Sequence, residues 1–126
     1  MIEMMIAISI LLVAVGGAYT SQLTSLGLVQ QSSARTVAMT DLEACMEQIL
    51  AGSSELLPVA GSDFAHGASV AAFEDLHLPE QRITVTYPDY VVGADVPNPL
   101  QILLTASWND NQGREQSKSL RSLKVR

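Results

Sequence analysis

Glu3 is the residue whose chemistry is least expected from its surroundings. The chain begins MIEMMIAISILLVAVGGAYT, an apolar run with one carboxylate at its head and no basic residue beside it. A secretory signal peptide wants positive charge there, and a membrane span wants no charge within it. The other groups capable of chemistry are scattered. Cys45 is the single cysteine, so no internal disulfide can form, and with His66 and His77 it cannot supply the four ligands of a cysteine-rich zinc site. Cys45 reads as a small core residue. The two histidines have no triad or ligand spacing around them and read as surface residues in loops. In the stretch NDNQGRE only Asp110 and Glu115 are anionic, and the spacing of an EF-hand calcium loop is absent, so a hairpin turn is the simpler reading. Nothing resembles a nucleophile elbow or a phosphate loop. The residues point to no enzyme, no cofactor and no metal site.

The chain of 126 residues has room for one domain and hardly for two. Its 13 acidic and 7 basic residues give a net charge of -6. Such a surface repels nucleic acid rather than attracting it, so no nucleic-acid partner is expected. The basic residues concentrate between Arg114 and Arg126. Hydrophobic content of 48% and a mean hydropathy of +0.23 are high for a soluble domain, and the excess sits at the front.

The elements that must position Glu3 begin with one long helix. From Met4 to Ala34 there is no charged side chain, and residues 4–18 are strongly apolar, interrupted only by Ser9. A membrane span needs ~20 mostly apolar residues. Residues 1–28 supply them if Thr20, Ser21, Gln22, Thr24 and Ser25 lie toward the interface, where Tyr19 would be an interfacial aromatic. Beyond Leu28 the pattern becomes one-sided. Ala34, Ala38, Leu42, Cys45 and Ile49 share a helical face, while Arg35, Asp41, Glu43 and Glu47 fall off that stripe. No proline precedes Pro58, and Gly52-Ser53-Ser54 is a plausible stop. A continuous helix over 1–51 would be ~75 Å long. Gly16-Gly17 is its weak point, at ~1 kcal/mol per glycine relative to alanine. Three segments follow: a membrane or filament-core half at 1–25, an amphipathic half at 26–52, and a small globular part at 53–126.

Residues 53–80 read as a connecting loop with one short helix near 70–76. Ile83, Val85 and Tyr87 alternate onto one strand face, as do Leu100, Ile102, Leu104, Ala106 and Trp108 on a second. In a third run, 115–125, Leu120 is out of phase with Leu123 and Val125, which predicts a bulge or register change. Three strands are marginal alone and need a helix over one face. The expected fold is therefore α+β, a long N-terminal helix packed on a small antiparallel sheet of about three strands. Its core would be Ala38, Leu42, Cys45 and Ile49 against Ile83, Val85, Ile102, Leu104 and Trp108, with Trp108 a packing residue.

The stretch Ile2-Glu3-Met4-Met5-Ile6-Ala7 resembles the N-terminal signature of the type IV pilin superfamily. That prepilin-type methylation motif runs phenylalanine, threonine, leucine, isoleucine, glutamate and then an apolar helix. Ile2 and Glu3 match it, and Met1 stands where leucine is usual. Trp108-Asn109-Asp110, then Gly113-Arg114, then a final strand with Leu120, is similar to the close of minor pilins and of the minor pseudopilin I group of type II secretion. Two departures stand out. The family's short basic leader ending in glycine is not in this sequence, so cleavage would fall upstream of Met1. The first helix also lacks the proline of many major pilins, with Gly16-Gly17 in its place.

The resemblance implies a structural subunit of a pilus or pseudopilus, a minor component at a tip or in initiation, with a role in protein transport or pilus assembly. It implies that Glu3 pairs with the N-terminal amine of a neighbouring subunit and sets the axial register. Ile2, Met4, Met5, Ile6, Ala7, Ile10, Leu11, Ala14, Gly16 and Gly17 would anchor and pack the helix, the small residues allowing close approach. The implied partners are other pilin or pseudopilin subunits, inner-membrane lipid before assembly, and prepilin peptidase if a leader precedes Met1. The implied location is the bacterial inner membrane, single-pass, with the C-terminal domain periplasmic, or a filament. Other readings remain open. Residues 1–18 could be a signal peptide, since Gly16 and Ala18 suit a cleavage site. Glu3 could be a solvated helix N-terminus favoured by the helix dipole. The whole could be a single-pass membrane protein whose periplasmic domain binds a ligand or partner and never polymerises.

Overall fold

A computed structural model describes residues 2–53 and 57–125, so the expectations resting on Met1 and Ser54 lie outside the described residues. The chain divides into two compact units, Met1–Ser33 and Ala34–Arg126. The first is helical throughout its described part, as the absence of proline and of any breaker but glycine predicts. The helix, α1, runs Ile2–Ala51 and is regular through Gly16 and Gly17.

The second unit holds the rest of α1 and three strands: β1 (Arg82–Thr86), β2 (Leu100–Asn109) and β3 (Glu115–Lys124). They form an antiparallel meander in the order β1-β2-β3. This is the α+β fold the pattern predicts. The strands alternate as read: Ile83, Val85 and Tyr87 of the β1 run, and every even residue of β2 from Leu100 to Trp108, are buried. Ala38, Leu42, Cys45 and Ile49 on α1 are fully buried with them in one cluster. Met46, Leu57, Val70 and Phe73 complete that core. Met46 follows Leu42 by four residues, so it continues the same stripe.

Three expectations need correcting. Asp41 does not fall off the stripe; it is 4% exposed, because it sits beside Leu42 and meets polar groups from a distant loop. β3 carries no bulge. It pairs residue for residue with β2, from Asn109↔Glu115 to Leu100↔Lys124. Leu120 stands opposite buried Leu104, whereas Leu123 stands opposite Gln101 and remains 59% exposed, as does Val125 at 72%. The pairing fixes the face of each residue, and alternation leaves those two apolar side chains outside. The short helix near 70–76 is a single 3-10 turn, Ala71–Phe73, which buries Phe73.

The two edges of the sheet differ. The outer edge of β1 is covered by an extended segment: Ser69 bridges Thr84, and the N–H groups of Gly67 and Val70 donate to Val85 and Ile83 at 2.7 and 2.9 Å. β3 has no strand beyond it among the described residues. The C-terminal end of α1 has no basic residue in its last turn. Lys124, from the end of β3, supplies one. Its Nζ donates to the carbonyls of Ile49 at 3.1 Å, Leu50 at 2.7 Å and Gly52. These are carbonyls a helix end leaves without intrahelical partners, at the negative pole of the dipole.

Leu42→Ala should destabilise the sheet-bearing unit by ~2–5 kcal/mol through lost burial and the cavity it leaves. Leu123→Ala should change it by less than ~0.5 kcal/mol, since that side chain is largely in solvent. Denaturant unfolding of the full chain in detergent, followed by Trp108 fluorescence, measures both. A large loss from Leu123→Ala would contradict the observed strand register.

Candidate functional site

The first candidate site is the exposed surface of α1 in unit one. Glu3 lies in the first helical turn, where the unpaired N–H groups favour a carboxylate. Every described residue of this unit up to Gln30 is exposed, including Ile2, Met4, Met5, Ile6, Ile10 and Leu11. Ala7 and Ala14 are also exposed, and a side chain at Gly16 or Gly17 would meet nothing within 4 Å. All ten residues expected to anchor or pack the helix therefore lie on open surface. This is one helix near the N-terminus long and apolar enough to cross a membrane.

Four hydroxyls in this stretch donate to backbone carbonyls within the helix. Ser9 donates to the carbonyl of Met5 at 2.8 Å, Thr20 to Gly17 at 2.9 Å, Thr24 to Thr20 and Ser25 to Ser21, each at 3.0 Å. A hydroxyl already donating to its own backbone costs far less in an apolar medium than a free one. These bonds lower the cost of an apolar medium for Thr20, Thr24 and Ser25.

The second cluster is polar and lies in unit two. The Asp41 carboxylate accepts from Gln81 Nε2 at 2.7 Å and lies 3.0 and 3.1 Å from His77 Nδ1. Gln81 is itself buried, and its Oε1 accepts from the backbone N–H groups of His77 and Leu78 at 3.2 and 3.0 Å. These bonds tie α1 to the loop that leads into β1. That loop is bent sharply, with Asp75 and Glu80 at φ of 50° and 53°. Non-glycine residues hold such angles where the surroundings over-determine them. His77 is exposed, as the surface reading has it, and its ring is in addition paired with Asp41. His66 is engaged as well: its Nδ1 accepts from the Tyr87 N–H at 3.1 Å, and the buried Tyr87 hydroxyl donates to Phe64 O at 2.9 Å.

Beside this loop, a groove of about 450 Å3 opens at the end of the sheet where β1 and β3 begin. Glu74, Asp75, Glu80 and Glu115 line it against a single cation, Arg82. Trp108 reaches its wall but is 3% exposed, so it packs rather than offering a ring to a ligand. Cys45 is fully buried, and that burial pushes its thiol up to about 11, so at neutral pH it is not a nucleophile. Burial also raises the Tyr87 phenol. Among the described residues, no group of three or more His, Cys, Asp or Glu is placed to hold a metal ion.

The turn between β2 and β3 is closed by Asp110. Its Oδ1 accepts from the N–H groups of Gln112 and Arg114, both at 2.9 Å, and its Oδ2 accepts from Arg114 Nε at 2.9 Å. Gly113 takes the left-handed backbone, at φ 71°, that this turn requires. Donation to the carboxylate, first of all from the Arg114 backbone N–H, holds Asp110 below its ordinary value of 3.8.

Two measurements check these clusters. Asp41→Ala strands the polar groups of Gln81 and His77 and should cost ~1–3 kcal/mol of unfolding free energy, while Glu43→Ala on the exposed face should cost almost nothing. In an NMR titration, Asp110 should titrate below 3.8, and Arg114→Ala should leave most of that depression because the backbone N–H remains. The depressed value means the turn's contribution is complete above 3.8 and is lost as pH falls through the folded-state value. No protein-family profile, curated protein or solved structure matches the chain.

Proposed function

We propose that the chain is a structural subunit of a type IV pilus-like or type II secretion pseudopilus assembly, a minor component that docks through its N-terminal helix and Glu3. The observation that carries this reading is the lone carboxylate in the first turn of a helix that is otherwise apolar and exposed on all sides, with no further charge before Arg35. A helix apolar all round needs lipid or protein about it, and a carboxylate in that setting needs a cationic partner. No basic side chain precedes Arg35 in the sequence, whereas the terminal amine of an adjacent subunit would supply the cation.

In this reading the subunit waits in the inner membrane as a single-pass protein and moves into the assembly by exchanging lipid for neighbouring helices. The small residues Ala7, Ala14, Gly16 and Gly17 let those helices approach closely. The sheet-bearing unit stays outside the cytoplasm and gives the subunit its identity within the complex. Processing by a prepilin peptidase would create the free amine with which each Glu3 pairs.

Glu3→Gln keeps the shape and removes the charge, so the variant should still insert in the membrane while its recovery in the assembled complex drops by about tenfold or more. Cross-linking of membranes followed by immunoblotting reads both steps. Normal incorporation of the Glu3→Gln subunit would sink the proposal and leave a single-pass membrane protein with a binding domain as the better account. The nucleotide sequence ahead of Met1 gives a second check, since the proposal requires an in-frame basic leader ending in glycine.

A further inference from the structure

One edge of the sheet is closed and the other is open, and the ladder fixes which backbone groups the open edge presents. Ile83 and Val85 of β1 turn their groups outward to the covering segment: Val70 donates to Ile83, and Val85 exchanges bonds with Gly67 and Ala68. Thr84, between them, therefore pairs inward with Thr105 of β2. Thr105 has then committed its groups to β1, so Ser119, opposite it in β3, turns its own N–H and C=O away from β2. Alternation extends this outward set to Glu115, Ser117, Arg121 and Leu123. All five are exposed, and no strand lies beyond them among the described residues. Lys118 and Arg121 flank the middle of this edge on opposite faces, since their partners in β2 are Ala106 and Leu103. Both are exposed, and neither has an ion-pair or hydrogen-bond partner among the described residues. Each shares its face with a leucine: Lys118 with Leu120 at the margin of the core, Arg121 with the exposed Leu123.

We propose that the open edge of β3 takes an extended segment of a different protein as a fourth, antiparallel strand, and that this segment carries an acidic and an apolar residue on each face. A row of unpaired N–H and C=O groups is satisfied along its length by one kind of partner, another strand. The side chains then select among strands. A carboxylate opposite Lys118 and another opposite Arg121 make favourable cross-strand pairs, and an aliphatic residue suits the positions opposite Leu120 and Leu123. Read from the residue opposite Leu123 to the one opposite Lys118, the segment runs apolar, any, acidic, apolar, any, acidic. Its residue opposite Leu120 would carry the core one strand further. A second copy of this chain fits less well. Its β1 edge is covered, so it offers only β3 again. In full overlap Ser119 meets Ser119, Lys118 meets Leu120 and Arg121 meets Ser117, so no carboxylate stands opposite either cation. Charges on an edge strand keep identical strands from pairing, and here they leave the edge to a strand of opposite charge. The contact uses the sheet and not the apolar helix, so it stands or falls separately from docking through Glu3.

The probe is a synthetic fluorescein-labelled peptide, Val-Thr-Glu-Val-Thr-Glu, titrated with the full chain in micelles of a neutral detergent and followed by fluorescence anisotropy against empty micelles. The wild type should bind it. Methylating the backbone nitrogen of the second threonine, which faces Ser119 and points at β3, should weaken binding by about tenfold or more. The same change at the second valine, which faces Leu120 and points its N–H away, should cost less than about threefold. Lys118→Glu with Arg121→Glu should weaken binding by about tenfold, and a peptide with lysine in place of both glutamates should bind that variant again. Because both side chains are exposed, the doubly substituted chain should keep its circular dichroism spectrum. Glu3→Gln should bind the peptide as the wild type does, whatever becomes of helix docking. The inference is overturned if the wild type does not bind, if the two methylated peptides bind alike, or if charge reversal on the chain changes nothing. It is overturned equally if sedimentation velocity shows the chain alone forming dimers that Lys118→Glu with Arg121→Glu abolishes, since the edge then belongs to a second copy.

Discussion

The sheet and the second part of α1 each have one apolar surface, and each is the other's main cover. Three strands cannot bury a core between themselves, and an amphipathic helix cannot hold its stripe in water. Leu42, Cys45 and Ile49 meeting Ile83, Ile102 and Leu104 is therefore the contact on which the rest of the second unit depends. The polar features serve it. Asp41 is buried within that contact and is tolerable there because Gln81 and His77 satisfy it. Lys124 fastens the other end, where the helix stops. The two ties hold the helix to the sheet near both ends of the buried stripe.

The first unit has the opposite problem. Its large apolar side chains are exposed among the described residues, and Ser9, Thr20, Thr24 and Ser25 turn their hydroxyls back onto its own carbonyls. One polypeptide thus contains a helix whose first part is built for an apolar surrounding and whose second part builds its own. Glu3 is the exception in the first part, and that is why it carries so much of the functional reading. In the proposed assembly, neighbouring subunits would bring that carboxylate its cation and the apolar surface its cover.

Much of the fold was legible because it rests on short periods. Alternation of two placed Ile83, Val85 and Tyr87 on one face and the even residues of β2 on another, and steps of three and four placed Ala38, Leu42, Cys45 and Ile49 together. What was hidden depends on partners far along the chain. Asp41 looks like a surface carboxylate until Gln81, forty residues away, supplies a donor. His77 likewise looks free without Asp41. The expected bulge in β3 came from asking Leu120, Leu123 and Val125 all to be buried; the register with β2 instead buries one side and leaves Leu123 and Val125 out. The acidic groove gathers residues from separate segments, Glu74 to Arg82 and Trp108 to Glu115, so no local motif announces it. Glu3 was legible as an anomaly of composition, which needs no tertiary information.

Lys124 also sets an order of events during synthesis. The groups it binds, at Ile49, Leu50 and Gly52, are made long before it, and the strand that carries it is the last element of the described chain. On a ribosome, the apolar stripe of α1 must also wait, uncovered, until β1 and β2, which supply the strand part of its core, have emerged. A growing chain in this state is the form in which a chaperone has most to protect.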